Sequence, residues 1–394
     1  MQDSLSYVQD LGRTARKAAS ALSATGGERK VAALLRMASG LRKATQHLIE
    51  ANANDLSAAE AGGVARPLVE RLKLDERKIE AMAKGVEQIA AQVDPAGQTI
   101  EASNRPNGLR VEKRRVPIGV VLFFYESRPN VTSDAAALCI KSGNAVILRG
   151  GKEALHSNTH IAQVISSALG EAGLPAGCVQ IVNNPDRALV PLLLKQDKYI
   201  DLVIPRGGES LIRAVVHDST IPVLKHFTGN CHIYIDKDTD SIADQVRDIC
   251  VNAKTSYPGG AVCNAVEHLI FHRDAIALIP MVLQALSDKG VEVRGDEGVR
   301  EVYMAAKAAT PGDWDEEYLS FIIGVKIVDS LDEAINHINE HGSHHTDAIL
   351  STSIDSINQF TTRVDSASVI VNASTRFADG GEYGLGAEIG ISTD

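Results

Sequence analysis

Residues 116–154, VPIGVVLFFYESRPNVTSDAAALCIKSGNAVILRGGKEA, decide the fold. Residues 116–126 are an almost continuous apolar run, residues 134–143 have helical character, and residues 144–154 open on a second apolar run. A strand that is apolar on both sides needs cover on both faces, and helices give that cover to a parallel sheet. The stretch therefore predicts strand, helix, strand. The alternation continues: a helix reaches about Glu171, strands are predicted at 178–184 and 199–208, and residues 189–196 are helical between them. To about His226 the chain reads as an α/β domain of the nucleotide-binding type.

Upstream, residues 5–93 are helical in pattern, as in VAALLRMASGLRKA at 31–44, where apolar residues recur at three and four. Residues 99–119 alternate on either side of Asn107-Gly108, a dipeptide that tolerates the positive φ of a tight turn, and predict a hairpin. Such a hairpin either joins another subunit or forms a local edge. A second α/β series begins at residue 230. It has a helix ahead of Cys263, strands at 266–272, 321–330, 346–352 and 366–374, and helices at 275–287, 331–341 and 354–361.

Composition bounds what such a chain can do. With 394 residues, 44% of them apolar, it can bury large cores in two or three domains. Its 40 basic and 50 acidic residues are interspersed, for a formal charge of -10, so no broad basic field exists to hold a nucleic-acid backbone. No apolar run approaches a membrane span of about 20 residues, and MQDSLSYVQDLG lacks the features of a signal peptide. A soluble, cytoplasmic protein is expected. Cys139, Cys178, Cys231, Cys250 and Cys263 are odd in number, widely spaced and without a CxxC, which favours free thiols over disulfides or a thiolate metal site.

Six stretches carry candidate chemistry. The sheet lacks G-x-G-x-x-G and the G-x-x-x-x-G-K-S/T loop, but LRGGKEA and PRGGES place Arg149, Lys152, Arg206 and Gly207 at two strand ends, where ligands of open α/β sheets bind. A phosphorylated ligand and an ordinary strand-to-helix turn both fit. FYESRPNVTSD, with Ser127, Arg128, Asn130 and Thr132, is either a substrate loop or a helix cap. In SYPGGAVCNAVEHLIFH, a Pro-Gly-Gly turn brings backbone close to Cys263; the thiol is either an apolar buried residue or a nucleophile served by backbone amides. His268 and His272 fall on the following strand, leaving their relation to the thiol open. His341, His344 and His345 lack carboxylates or cysteines at metal-site spacing, so a polar loop is favoured over a metal. NASTRFADGGEYGLGAEIG is too polar to be core, and its Arg376 suits a carboxylate ligand or a structural loop.

Residues 116–154, YPGGAVCNAVEHLI and VNASTRFADGGEYGLGAEIGIST closely resemble the gamma-glutamyl phosphate reductase family of the aldehyde dehydrogenase superfamily, over essentially the whole chain. The resemblance implies an aldehyde-dehydrogenase-like α/β fold. A Rossmann-type NADP-binding domain would span 1–98 and 117–229, a projecting oligomerisation hairpin 99–116, a catalytic domain 230–364, and a strand with an active-site loop 365–394. It also implies NADPH-dependent reduction of L-glutamyl 5-phosphate to L-glutamate 5-semialdehyde through a thioester on Cys263. Asn130 would help backbone amides hold the oxyanion. Arg149, Lys152, Arg206, Gly207 and Glu317 would bind the cofactor, and Arg128 and Arg376 the substrate's phosphate or α-carboxylate, with no metal. A homo-oligomer, functionally coupled to glutamate 5-kinase, is the implied assembly.

Two departures from the wider superfamily sharpen this expectation. HFTGN replaces a Glu-Leu-Gly-Gly-Lys segment, so His226 stands where oxidising relatives carry the glutamate that activates water. ILRGGKE places Arg149 at a ribose-binding lysine and Lys152 at a glutamate associated with NAD, a change that favours the 2'-phosphate of NADP. The family pattern also continues past ISTD through a Gly-Pro-Met-Gly segment to a last strand, which implies a further C-terminal segment that would help build the subunit-joining region.

Overall fold

The computed structural model describes residues 2–64, 66–126, 128–225 and 228–384. Ser127, His226 and the LGAEIGISTD stretch beyond Gly384 lie outside them. The described residues up to Lys225 form one compact unit, and those from Thr228 to Gly384 a second.

The first unit opens with α1 (Gln2–Ser23), α2 (Gly27–Lys43), α3 (Thr45–Ala61), α4 (Arg66–Leu72) and α5 (Glu76–Ala91). The three-and-four spacing becomes a buried stripe on α2, made by Ala33, Leu34, Met37, Ala38 and Leu41, which packs on α5. At the start of α5 the Asp75 carboxylate accepts the Lys78 N–H at 2.8 Å and fixes the helix boundary.

Strands β1 (Thr99–Asn104) and β2 (Arg110–Arg114) pair antiparallel as the expected hairpin. Its turn differs from an Asn-Gly two-residue turn. The Gly108 N–H donates to the Arg105 carbonyl at 2.8 Å, Pro106 takes the second turn position, and Gly108 alone adopts positive φ, +85°. Proline presets the turn and glycine supplies the left-handed residue that closes it.

Next come β3 (Val120–Tyr125), α6 (Asn130–Lys141), β4 (Ala145–Arg149), α7 (Leu155–Glu171), β5 (Val179–Ile181), α8 (Leu189–Leu193), β6 (Leu202–Arg206) and α9 (Glu209–Asp218). All pairings in the β5-β4-β3-β6 sheet are parallel, as expected of such apolar strands, and every residue of β3 is buried. The chain builds outward from β3 to β5 and then returns to place β6 on the other side of β3. That reversal makes a crevice at the strands' carboxyl ends. Helix α6 begins at Asn130 rather than Asp134, so part of FYESRPNVTSD is the first turn of a helix.

In the second unit β7 (Cys231–Ile235), α10 (Ala243–Thr255), β8 (Val266–His272), α11 (Ile279–Ser287), β9 (Glu292–Gly295), α12 (Glu297–Val302), β10 (Lys307–Ala308), β11 (Ile322–Val328), α13 (Leu331–His341), β12 (Thr346–Leu350), α14 (Ile354–Arg363) and β13 (Ser368–Val371) build a parallel sheet. Its order is β10-β9-β11-β8-β7-β12-β13. Ile233, Leu269 and Phe271 face one core, while Tyr234, Ile270 and Ile349 face the other. Three elements went unread in the sequence: β9, α12 and β10. Each is short, and β9 and β10 are the outermost strands of their edge, where Glu292, Arg294 and Lys307 pair with one another instead of forming an apolar run. The helix expected from residue 275 begins as a 3-10 turn, Arg273–Leu278. No described helix is long and apolar enough to cross a membrane.

Candidate active site

The first unit's chemistry lies at the rim of its sheet. A cleft of about 910 Å³ is lined by Tyr125, Arg149, Gly150, Gly151, Lys152 and Arg187, among others. Lys152, on a 3-10 turn directly after β4, is exposed. Arg149 is half-buried and donates to the Pro185 and Asp186 carbonyls at 3.4 and 3.3 Å, which ties the loop after β5 to the end of β4. Burial, helped by neighbouring Arg187, lowers its pKa.

The paired Arg-Gly-Gly turns have a reason beyond ligand access. A Cβ on Gly150 would lie 2.1 Å from Asn158 Nδ2, and one on Gly207 would lie 2.7 Å from Glu126 Oε1. Glycine is needed there to admit side chains of the protein itself. Glu126 also accepts the Gly208 N–H at 2.8 Å, which joins the ends of β3 and β6. Arg206 closes β6, and its charge acts on Asp134. Asn130 is exposed on the first turn of α6 and donates one amide N–H to Asp134 at 2.9 Å. Arg128 is exposed just ahead of it.

In the second unit Cys263 sits between the Pro258–Gly260 turn, whose glycines have φ of +70° and +68°, and β8. It is the one half-buried cysteine among five; the other four are buried. Burial pushes the Cys139 thiol up to about 12 and Cys178 to about 11, raises Cys250 further, and with nearby Asp347 raises Cys231 well above the usual value. Cys231 donates its thiol to the Cys263 carbonyl at 3.2 Å. The same carbonyl would lie 2.1 Å from a Cβ on Gly229, so the backbone at Cys263 is held against a position that only glycine can fill.

Asn264 is the site residue that sequence reasoning missed. Its Nδ2 donates to the Ala378 carbonyl at 3.0 Å, its own carbonyl accepts Thr375 Oγ1 at 2.7 Å, and its Oδ1 accepts Arg376 Nη1. The guanidinium of Arg376 also lies over the Tyr257 ring, 5.6 Å from its centre. These bonds stitch the loop after β13 to the residue following Cys263. Within the described residues the Asn264 backbone N–H has no acceptor. An asparagine inside an apolar run was the available signal.

Below the site lie Lys254 and Glu267, both fully buried and 2.6 Å apart. Burial raises the Glu267 carboxyl to about 7 against the pull of Lys254, and the charge of half-buried Glu317 acts on both partners. Neither His268 nor His272 serves the thiol as a base. His268 is buried with its ring nitrogens on Asn230 Oδ1 and the Asp313 carbonyl, each at 2.8 Å, and burial lowers its pKa well below the usual value. His272 accepts the Asp274 N–H at 3.0 Å as a helix cap. The HGSHH histidines go to separate partners: His341 to Asp315 at 2.7 Å, His344 to the Asp365 carbonyl at 2.5 Å, and His345 to Thr346 at 2.7 Å. Among the described residues there is no cluster that would hold a metal ion.

Residues 4–300 match the aldehyde dehydrogenase family. The chain is 48% identical to a gamma-glutamyl phosphate reductase of Geobacter metallireducens and 47% identical to one of Moorella thermoacetica, each over 98% of this chain and 92% of the relative. It is also similar to the crystal structure of gamma-glutamyl phosphate reductase from Thermotoga maritima, with a TM-score of 0.94, 40% identity, and 98% and 93% of the two chains covered. An acetylating aldehyde dehydrogenase from Geobacillus thermoglucosidasius shares the fold, with a TM-score of 0.64 at 18% identity over 97% and 89%.

Proposed function

The chain belongs to the aldehyde dehydrogenase family, and on that premise we propose that it reduces L-glutamyl 5-phosphate to L-glutamate 5-semialdehyde with NADPH, a step of proline biosynthesis. The observation that carries the reading is the half-buried Cys263 thiol beside the uncommitted Asn264 N–H, in a chain whose other cysteines are buried.

Cys263 attacks the acyl carbon as thiolate, the bond from that carbon to the phosphate oxygen breaks, and phosphate leaves. The product is a thioester, formed without water. The Asn264 N–H is the backbone donor for the oxyanion, and Asn130, which has committed one of its two N–H donors to Asp134, is the side-chain donor. NADPH, when bound, supplies the hydride that reduces the thioester carbonyl. The resulting thiohemiacetal on Cys263 collapses to release the aldehyde and restore the thiol.

The 910 Å³ cleft suits a dinucleotide in size, with exposed Lys152 for a 2'-phosphate and Arg149 at the β4 end; the Arg206-Gly207 turn, which is not among the residues lining that cleft, is assigned to the cofactor from the β6 end. In the second unit Glu317 is assigned to the nicotinamide ribose and Arg376 to the substrate. His226, at the position of the water-activating glutamate, offers no carboxylate and leaves phosphate as the acceptor of the acyl group in the reverse direction. Exposed Ile100, Leu109, Val116 and Ile118 on and beside the hairpin support its role in joining copies of the chain.

Replacing Cys263 with Ser tests the reading. Phosphate-dependent oxidation of the semialdehyde is expected to fall by about a thousandfold or more. Undiminished turnover would contradict the covalent route.

A further inference from the structure

Where α4 and α5 meet the start of α6, the first unit holds a smaller cavity of about 350 Å³, walled by Arg71, Lys73, Lys78, Arg128, Asn130 and Asp134 and sharing none of them with the large cleft. Its volume suits the head of one small molecule, not a dinucleotide. Lys78 is committed to the protein, donating to the Glu70 and Lys73 carbonyls at 3.1 and 2.5 Å. Among the described residues, Arg71, Lys73 and Arg128 make no ion pair.

The opposite sign comes from Asp134. Its carboxylate accepts from Asn130 Nδ2 at 2.9 Å and Ser133 Oγ at 3.3 Å. Burial nevertheless raises its pKa against these bonds and the charge of Arg206, so the carboxylate is under-solvated and would gain from a cation. A phosphate alone would meet this carboxylate, and a simple cation would meet the free arginines. A molecule bearing both an ammonium and a carboxylate complements both.

We propose that this cavity holds the α-ammonium and α-carboxylate of the amino-acid substrate, Asp134 taking the ammonium and Arg71 with Arg128 the carboxylate. The proposal rests on the function given above and names how its substrate is recognised.

Calorimetry of the full chain with L-glutamate and glutarate tests it without turnover. The native chain is expected to bind L-glutamate about ten- to a hundredfold tighter than glutarate, the gain from one charge-assisted hydrogen bond. Asp134→Asn should remove that difference and leave glutarate unchanged, while Arg71→Gln and Arg128→Gln should weaken both ligands by a similar factor. Equal losses for both ligands in Asp134→Asn, with unaltered thermal unfolding, would overturn the proposal. So would inorganic phosphate displacing L-glutamate equally in native and Asp134→Asn chains. Native turnover of glutamate 5-semialdehyde and its deaminated analogue at equal kcat/KM would sink the head-group site alone. Tight, Asp134-dependent binding of L-glutamate without any semialdehyde oxidation would sink the functional reading alone.

Discussion

The two units share a parallel-sheet plan and differ in what they bury. In the first, the central strand β3 is buried along its length, and the histidines His47, His156, His160 and His217 are exposed or half-buried. In the second, Lys254, Glu267, His232, His268 and His337 all lie within the interior. The rings of His232 and His268 stack 5.2 Å apart, and His337 meets His232 and Trp314 edge-on. The first unit buries ionisable groups too, but ties them to backbone: Lys30 and Lys141 donate to the Lys141 and Ala90 carbonyls, and Asp55 accepts the His156 and Ser157 N–H groups. Ionisable groups held under a reactive loop fix its geometry at a cost in stability that depends on their partners and on pH.

The largest test of this contrast removes one partner of the buried pair. Glu267→Ala leaves Lys254 uncompensated and should cost about 3–5 kcal/mol, whereas Lys254→Met with Glu267→Leu should recover most of it. Trp314, the chain's single tryptophan, lies in the second unit and follows its unfolding by urea. Equal losses in the single and double variants would show that the pair's charge is not what matters.

Acid should also divide the units. Burial, then His232, His341 and Lys326, push the His337 pKa down to about 2. Below an unfolded pKa of about 6.5 the unfolded chain takes a proton that the native ring refuses. The stability present above about 6.5 is therefore lost as pH falls, by about 1.4 kcal/mol per pH unit for each such ring. His337→Phe should flatten the pH dependence of Trp314-monitored unfolding by about one proton between pH 6 and 5. An unchanged slope would contradict the assignment.

The apolar strands made the fold legible, because a run such as VVLFFY has few places to go other than a sheet covered on both faces. The paired turns after Arg149 and Arg206 were legible as strand ends, but their glycines' contacts with Asn158 and Glu126 were not, since these depend on side chains distant in sequence. Cys263 was legible through its turn. Asn264 was not, because its three bonds reach residues 375–378, more than a hundred positions away. Likewise β9 and β10 hide behind charges that pair across an edge.

A smaller effect sharpens the view of the first unit as a binding rim. Lys152→Glu should reduce the preference for NADP over NAD in kcat/KM by about tenfold, leaving Trp314-monitored unfolding unchanged. No change in preference would remove Lys152 from the 2'-phosphate role. Smaller still, Gly108→Ala forces a side chain into φ of +85° and should cost about 1 kcal/mol, confined to the hairpin and visible as faster hydrogen exchange across β1 and β2. Faster exchange spread through β3–β6 would mean that the hairpin is not energetically separate.

The central claim is a thioester on Cys263 that awaits phosphate rather than water. Rapid mixing of the full chain with semialdehyde and NADP in phosphate-free buffer tests it most directly, with NADPH absorbance as the readout. A burst of about one NADPH per chain that then stops, and restarts on addition of phosphate, is the expected result. Steady NADPH formation at the same rate with and without phosphate would contradict it.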